Sequence, residues 1–317
     1  MIEVGIGLQS NKTPAEYAKL ARLVEHLGFD VLTVFSDLMY QPAIGPLLIA
    51  AQHTTRLRLG PACLNPFTLH PYEIAGQIAM LDLASEGRAY LGLARGAWLE
   101  NAGIKQPRPV KAIHEAADVV RLLLARDQNG YQGEIFSLSP GTALQYAVRR
   151  PEIPLLIGTW SPKMAALAGE VADEVKIGGT ANPAMVQRMR ELIQVGTSRA
   201  RRSLNDVGIV TGAVTVVAED GAAARELARS AVRMYLDVVG PLDATAPVRA
   251  GADIPDDVLD RFAMAGTPEH VAAQALALFA AGARRVEFGS PHGLTEDDGI
   301  RLLGERVLPR LRSTVSR

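Results

Sequence analysis

Cysteine is nearly absent. Cys63 is the single one in 317 residues, which excludes an internal disulfide and fits a reducing, cytoplasmic compartment. Aromatic residues make up only 5% of the chain, and no basic stripe interleaves with them, which argues against a nucleic-acid partner. A formal net charge of -1 offers nothing to an anionic membrane surface. No apolar run reaches membrane-spanning length, and the opening MIEVGIGLQS lacks a basic region followed by an apolar stretch, so neither a span nor a leader is expected. The six histidines include no metal-spaced pair. His114-Glu115 begins like H-E-x-x-H, but Asp118 stands where the second histidine belongs, so no metal site is expected.

What is present is alternation. With 48% hydrophobic residues the chain can bury one large core. Short apolar, largely β-branched runs at 2–8, 30–35, 57–64, 88–94, 153–158, 173–178, 207–217 and 284–290 read as eight strands. Helix-length segments at 13–27, 70–85, 108–125, 182–200, 219–239 and 268–281 separate them. Parallel strands joined by helical crossovers follow from that order, and eight of them without a Gly-rich first turn favour a closed (β/α)8 barrel, an α/β fold in one domain over 1–317. Ser161-Pro162, Asn182-Pro183 and Thr267-Pro268 each place a capping side chain before a proline at a helix start. Two stretches depart from the repeat. Residues 126–152 contain YQGEIF, which reads as a strand pair, and residues 240–255 are Pro/Gly/Ala-rich and read as a mobile loop. Either is a lid over an active site or a plain surface excursion.

Several segments fall in a recognisable order. They include Gly60-Pro61-Ala62-Cys63-Leu64-Asn65-Pro66 with His70-Pro71, Leu81-Asp82 through Gly87-Arg88, Leu91-Gly92-Leu93, and Tyr131-Gln132-Gly133-Glu134. Further on stand Ile157-Gly158-Thr159-Trp160-Ser161-Pro162-Lys163, Ala265-Gly266-Thr267-Pro268-Glu269, and Phe288-Gly289-Ser290-Pro291. In this order the chain resembles the bacterial-luciferase-like barrels, and among them the methylenetetrahydromethanopterin reductase-like enzymes, over essentially its whole length. The resemblance implies a TIM barrel, a hydride-transferring deazaflavin (coenzyme F420, with FMN as the alternative cofactor), a small-molecule substrate, and a homodimer or larger homo-oligomer.

The candidate site residues divide by role. The loop Gly158, Thr159, Trp160, Ser161, Pro162 and Lys163 runs from a strand into a helix, where free N–H groups, the helix dipole and the lysine make an anion site. The resemblance assigns the coenzyme phosphate to it. Gly178 and Gly179 form a second glycine turn that either admits the coenzyme tail or is a plain turn. Ala62 and Cys63 fall where the family has a non-prolyl cis bulge behind the central coenzyme ring, so Cys63 is read as pocket wall rather than nucleophile. Asp37 matches the family's strand-ending aspartate and is assigned to the coenzyme-side geometry, but Leu38 replaces the histidine that serves as base in alcohol-oxidising members. Arg95-Gly96 stands where a glycine and an acid are common, and Gly7 where the methylenetetrahydromethanopterin reductases carry glutamate. A leucine cannot take a proton from an alcohol, so these departures favour reduction of a conjugated C=C or C=N bond. Arg95 is expected to orient the acceptor. Asp37, Arg95, Lys176 and Glu287 lie in or after alternate strands and are expected to converge in the upper barrel, either as catalytic groups or as a structural ion-pair ring. His292 is either a proton donor or a solvated loop histidine, and Trp98 and Trp160 either wall the pocket or pack under loops. A luciferase-like FMN monooxygenase, a deazaflavin-binding protein without turnover and a non-redox phosphate-handling barrel are the rival readings.

Overall fold

The computed structural model describes residues 2–315. Strand β1 (Glu3–Leu8) is followed by helix α1 (Pro14–His26), β2 (Val31–Phe35) by α2 (Ile44–Gln52), β3 (Arg58–Ala62) by α3 (Pro71–Ala84), and β4 (Leu91–Ala94) by α4 (Pro109–Leu124). A hairpin of β5 (Tyr131–Gln132) and β6 (Ser137–Leu138) interrupts the alternation, as YQGEIF suggested. It resumes with β7 (Leu155–Gly158), α5 (Pro162–Val171), β8 (Glu174–Gly178), α6 (Pro183–Ala200), β9 (Gly208–Val217) and α7 (Gly221–Val239). Next come α8 (Asp256–Phe262), β10 (Ala263–Gly266), α9 (Pro268–Ala280), β11 (Arg285–Gly293), α10 (Glu296–Leu302) and α11 (Leu308–Val315). Among the described residues no helix is long and apolar enough to cross a membrane.

Eight strands run in the order β3, β2, β1, β11, β9, β8, β7, β4, every neighbouring pair parallel. The bridges Leu59–Ala89 and Leu64–Leu93 join the two ends and close the barrel. All eight expected strands are present. Strand β10 is additional: it pairs with the last residues of the long β9, outside the main path. The 240–255 stretch is mostly irregular, as its composition suggested, and has anchors of its own. Buried Asp243 accepts from Asn182 Nδ2 at 2.8 Å and from the backbone amides of Thr245 and Ala246. Val248 and Ile254 pack into a second apolar cluster with α7, α8 and β10. The 126–152 segment is tied down too, since the buried Glu115 carboxylate on α4 accepts from the amides of Glu134, Ile135 and Phe136 at 2.8–3.0 Å.

Inside the barrel the floor is ionic. Glu3, Arg58, Glu174, Lys176, Arg285 and Glu287 form a network of three acids and three bases. Arg58 Nη1 lies 2.7 Å from Glu3, Arg285 Nη2 3.2 Å from Glu174, and Arg285 Nε 3.0 Å from Glu287, while Lys176 is ion-paired with the other Glu287 oxygen. The Arg285 guanidinium also sits 4.9 Å from the Tyr90 ring centre. Space for these groups comes from missing side chains. A Cβ on Gly60 would lie 2.5 Å from the Tyr90 ring, and one on Gly5 3.2 Å from Glu287. Removing an ion from water costs several kcal/mol, so such a network is stable only because its charges cancel.

Candidate active site

The expected functional residues cluster at the C-terminal ends of the strands, where barrel active sites are built. The peptide Ala62-Cys63 at the end of β3 is cis, as the resemblance implied. The segment is stitched to β4 by Leu64 N to Gly92 O and Ala94 N to Leu64 O, both 2.9 Å. The Cys63 thiol lies against Gly158, where an added Cβ would come within 2.9 Å of the sulfur. Burial pushes the thiol up to about 12, so Cys63 stays protonated.

Strand β7 pairs Gly158 with Ala94, so the loops after β4 and β7 begin side by side. Thr159 N donates to Lys176 O at 2.9 Å, and Ser161 N to Thr159 Oγ1 at 2.9 Å. Trp160 Nε1 donates to Gly178 O at 2.9 Å, which ties this loop to the end of β8. Asn182 and Thr267 cap their helices as expected, and His70 caps α3. Ser161 does not: its hydroxyl makes no capping bond to α5. Ala165 N reaches back to Ser161 O, while the amides of Lys163 and Met164 have no protein acceptor among the described residues. Ser161, Pro162 and Lys163 are exposed. Two amides without a protein acceptor and the positive end of the helix therefore lie beside the exposed Lys163, which is the equipment of an anion site. Gly178 leaves open space beside it, since a Cβ there would meet nothing within 4 Å, and Gly179 has a φ of 80° that favours glycine.

Of the four charges expected to converge, three do. Lys176 and Glu287 are paired in the barrel, and Lys176 also acts on Asp37. Arg95 does not join them. It is exposed and lines an open cleft of about 590 Å³ with Glu100, Lys105 and Gln106, because its strand ends one residue earlier and directs it outward. The Gly96 carbonyl next to it accepts from Gln106 Nε2 at 3.0 Å. Glu287 is 1% exposed and both its oxygens are engaged, one by Thr33 at 3.0 Å and Arg285, the other by Lys176. Burial raises the Glu287 carboxyl, but Lys176 and Arg285 together with the bonds from Lys176 and Thr33 bring it below its ordinary 4.5. It therefore holds Lys176 rather than exchanging protons with a ligand.

His292 is not a solvated loop residue. It is fully buried, with Nε2 3.2 Å from Phe288 O and Nδ1 3.4 Å from Glu296, and Glu296 in turn pairs with Lys12 at 3.2 Å. The histidine thus fastens the end of β11 to α10 and to the β1–α1 loop. Trp98 is half-buried at a φ of 55°, opening the short turn Leu99–Ala102.

Two residues escape a sequence reading. Phe35 continues the inward track of Val31 and Thr33 and lies over Gly7, where a Cβ would be 2.7 Å from the ring. Lys176 Nζ stands 5.3 Å from the centre of the same ring. Gly7 is therefore empty because Phe35 occupies its space, and a glutamate cannot be restored there without displacing the ring. Gln9 is the next inward position after Gly7, and period-two counting along β1 would have found it. Its amide favours the charge on Asp37, whose carboxyl burial raises above its ordinary 3.8.

The sequence profile described as luciferase-like monooxygenase matches residues 1–285. A 5,10-methylenetetrahydromethanopterin reductase of Archaeoglobus fulgidus is 30% identical over 321 residues, covering 93% of this chain and 95% of that protein. An F420-dependent glucose-6-phosphate dehydrogenase of Microbacterium testaceum is 25% identical, covering 94% of each. Among solved structures, a coenzyme F420-dependent tetrahydromethanopterin reductase of Methanopyrus kandleri matches with a TM-score of 0.87 at 25% identity, over 98% of this chain and 99% of that one. Matched by that profile over most of its length, the chain belongs to the luciferase-like monooxygenase family.

Proposed function

We propose that this protein is a coenzyme F420-dependent reductase that reduces a conjugated C=C or C=N bond of a small organic molecule in the cytoplasm, and that it acts as a homodimer. The observation that carries the reading is the uncapped, lysine-flanked start of α5, set beside open Gly178 and the cis Ala62-Cys63 wall. Relatives along the whole chain that are named for F420 support it. These residues fit a phosphate-bearing planar coenzyme: the amides of Lys163 and Met164 with the Lys163 ammonium would hold the phosphate, and Ala62, Cys63 and Gly158 would back the ring. Bound in reduced form, a deazaflavin supplies a hydride. Trp160, Gly96 and Gly179 shape the entrance, and Arg95, exposed and without an ion pair among the described residues, would attract and orient an incoming acceptor.

The direction follows from what stands after β2. Asp37 is followed by Leu38, which cannot accept an alcohol's proton, and His292 is buried in a structural contact. A positioned base is worth about 10²–10⁴-fold in rate, so alcohol oxidation lacks its main aid here, whereas reduction of an activated double bond needs no such base and takes its proton from water. The test follows the deazaflavin absorbance band in both directions. Reduced coenzyme should be consumed by conjugated enones or imines. Ready oxidation of simple alcohols by the unmodified protein would contradict the reductase reading.

The dimer reading rests on apolar side chains left exposed on and beside α3. The helix exposes Met80 (54%) and Leu83 (47%), and exposed Tyr146 donates its hydroxyl to Gly76 O on the same helix at 3.2 Å. Grouped apolar exposure marks association surfaces.

A further inference from the structure

The loop after β4 encloses a cleft whose positive charge has no protein partner. Arg95, Glu100, Lys105 and Gln106 line an opening of about 590 Å³. Arg95 and Lys105 are exposed, and neither makes a side-chain hydrogen bond or an ion pair among the described residues. Glu100 shares the lining but pairs with neither, so two cations against one acid leave an excess of positive charge. Gln106 brings the cations together from opposite ends of the loop. Its amide donates to the carbonyls of both Arg95 and Gly96, the latter at 3.0 Å, and so folds its neighbour Lys105 back toward the end of β4. Ile104 N to Leu99 O at 3.0 Å, Gly103 N to Glu100 O at 2.9 Å and the buried Leu99 side chain fix the turn between them.

The cleft borders the coenzyme wall on two sides. Ala94, just before Arg95, pairs with Gly158 at the start of the anion loop. Gly96, just after it, packs on Asn65 shortly beyond Cys63, where an added Cβ would lie 3.2 Å from the Asn65 side chain. Unlike the buried charges of the barrel floor, these two cations neutralise nothing in the fold. Held in one cleft, they attract what enters it, and a guanidinium is a rigid two-pronged donor matched to a carboxylate.

We propose that this cleft recognises a carboxylate, and that the acceptor carries one on an arm away from its conjugated bond, held by Arg95 and Lys105. This rests on the reductase reading above and names the class of acceptor: a small, anionic enone or imine. Coenzyme F420 also carries carboxylates, on its tail, so the coenzyme is the second source of the same chemistry, and the two sources separate in the test.

Three probes are titrated by calorimetry with and without coenzyme: a cyclohexenone bearing a propanoate arm on its β carbon, the same molecule as its primary amide, and its trimethylammonium counterpart. The wild type should prefer the propanoate over the amide by about tenfold or more, the effect of two charge-assisted contacts, and bind the trimethylammonium compound least. The preference should shrink in about 0.5 M NaCl, where exposed charges are screened. Arg95→Gln with Lys105→Gln should abolish it, Arg95→Glu with Lys105→Glu should turn it toward the trimethylammonium probe, and Glu100→Gln should strengthen it. The proposal is overturned if the wild type binds propanoate and amide equally, if no probe binds, or if the double glutamine variant keeps the preference. The same variant is titrated with F420 and with its tailless deazaflavin riboside. A tenfold loss for F420 alone, with the propanoate preference intact, would assign the cleft to the coenzyme tail and overturn the acceptor class. Failure of the wild type to bind F420 would instead overturn the reductase reading, and the probe series without coenzyme would still decide the charge preference of the cleft.

Discussion

Lys176 and Glu287 show how strongly a single side chain in this barrel depends on its partner. Each is almost wholly buried, and the two are paired directly. Removing one partner of a buried pair typically costs about 3–5 kcal/mol, since the remaining charge is left uncompensated. Lys176→Met should lower the unfolding free energy by about that amount in urea titrations at neutral pH. The pH dependence has a definite sign. A carboxyl held below its ordinary 4.5 in the fold contributes stability above that pH and loses it as pH falls through the folded value. Lys176 is the first of the groups lowering Glu287, so without it the acid-unfolding midpoint should move to higher pH. An unchanged midpoint would mean that Arg285 and Thr33 suffice to hold the charge.

At the scale of elements, the start of α5 carries the binding argument, and stability and function pull apart there. Ser161 sits at the N-cap without capping. Aspartate is a good N-cap and suits the positive end of a helix, so Ser161→Asp should leave the thermal midpoint unchanged or raise it. The same charge would stand beside a bound phosphate. Two unit charges about 4 Å apart interact by roughly 4 kcal/mol at an intermediate dielectric, before screening, so coenzyme affinity measured by fluorescence quenching should fall at least tenfold. Unchanged affinity in a folded variant would place the anion elsewhere.

The elements also show what a sequence can and cannot convey. The eight barrel strands were legible because runs such as 207–217 are β-branched and bounded by helices. Helix α2 was not, because Ile44–Gln52 is apolar on nearly every side and has no capping side chain, so it lacks the one-faced pattern that marks a helix. Strand β10, Ala-Met-Ala-Gly, contains no β-branched residue at all and forms by pairing with β9. The glycine-rich, proline-marked loops of the site were readable as motifs. The Phe35–Gly7 contact and the Gln9–Asp37 pair were not, because they arise between side chains in or just beyond two neighbouring strands that lie far apart in the sequence. Arg95 was misplaced for the same reason: counting alternate strands ignores which way a residue beyond the strand end turns. Composition alone also gave no sign of the anchor within 240–255, where Asp243 accepts from the amides of Thr245 and Ala246.

For the molecule as a whole, the apolar face on α3 and the mouth of the barrel make separate claims. Exposed Met80 and Leu83 should be covered in solution by a second copy of the chain. Met80→Arg combined with Leu83→Arg should convert a dimer to a monomer in sedimentation equilibrium; a wild type that is already monomeric at micromolar concentration would remove the proposal. The barrel mouth carries the central claim, that this is a deazaflavin enzyme. Parallel titrations of the unmodified protein with coenzyme F420 and with FMN, read by fluorescence quenching, test it most directly. Micromolar or tighter binding of F420, with FMN at least tenfold weaker, is the predicted result. Preferential binding of FMN, or binding of neither, would contradict it.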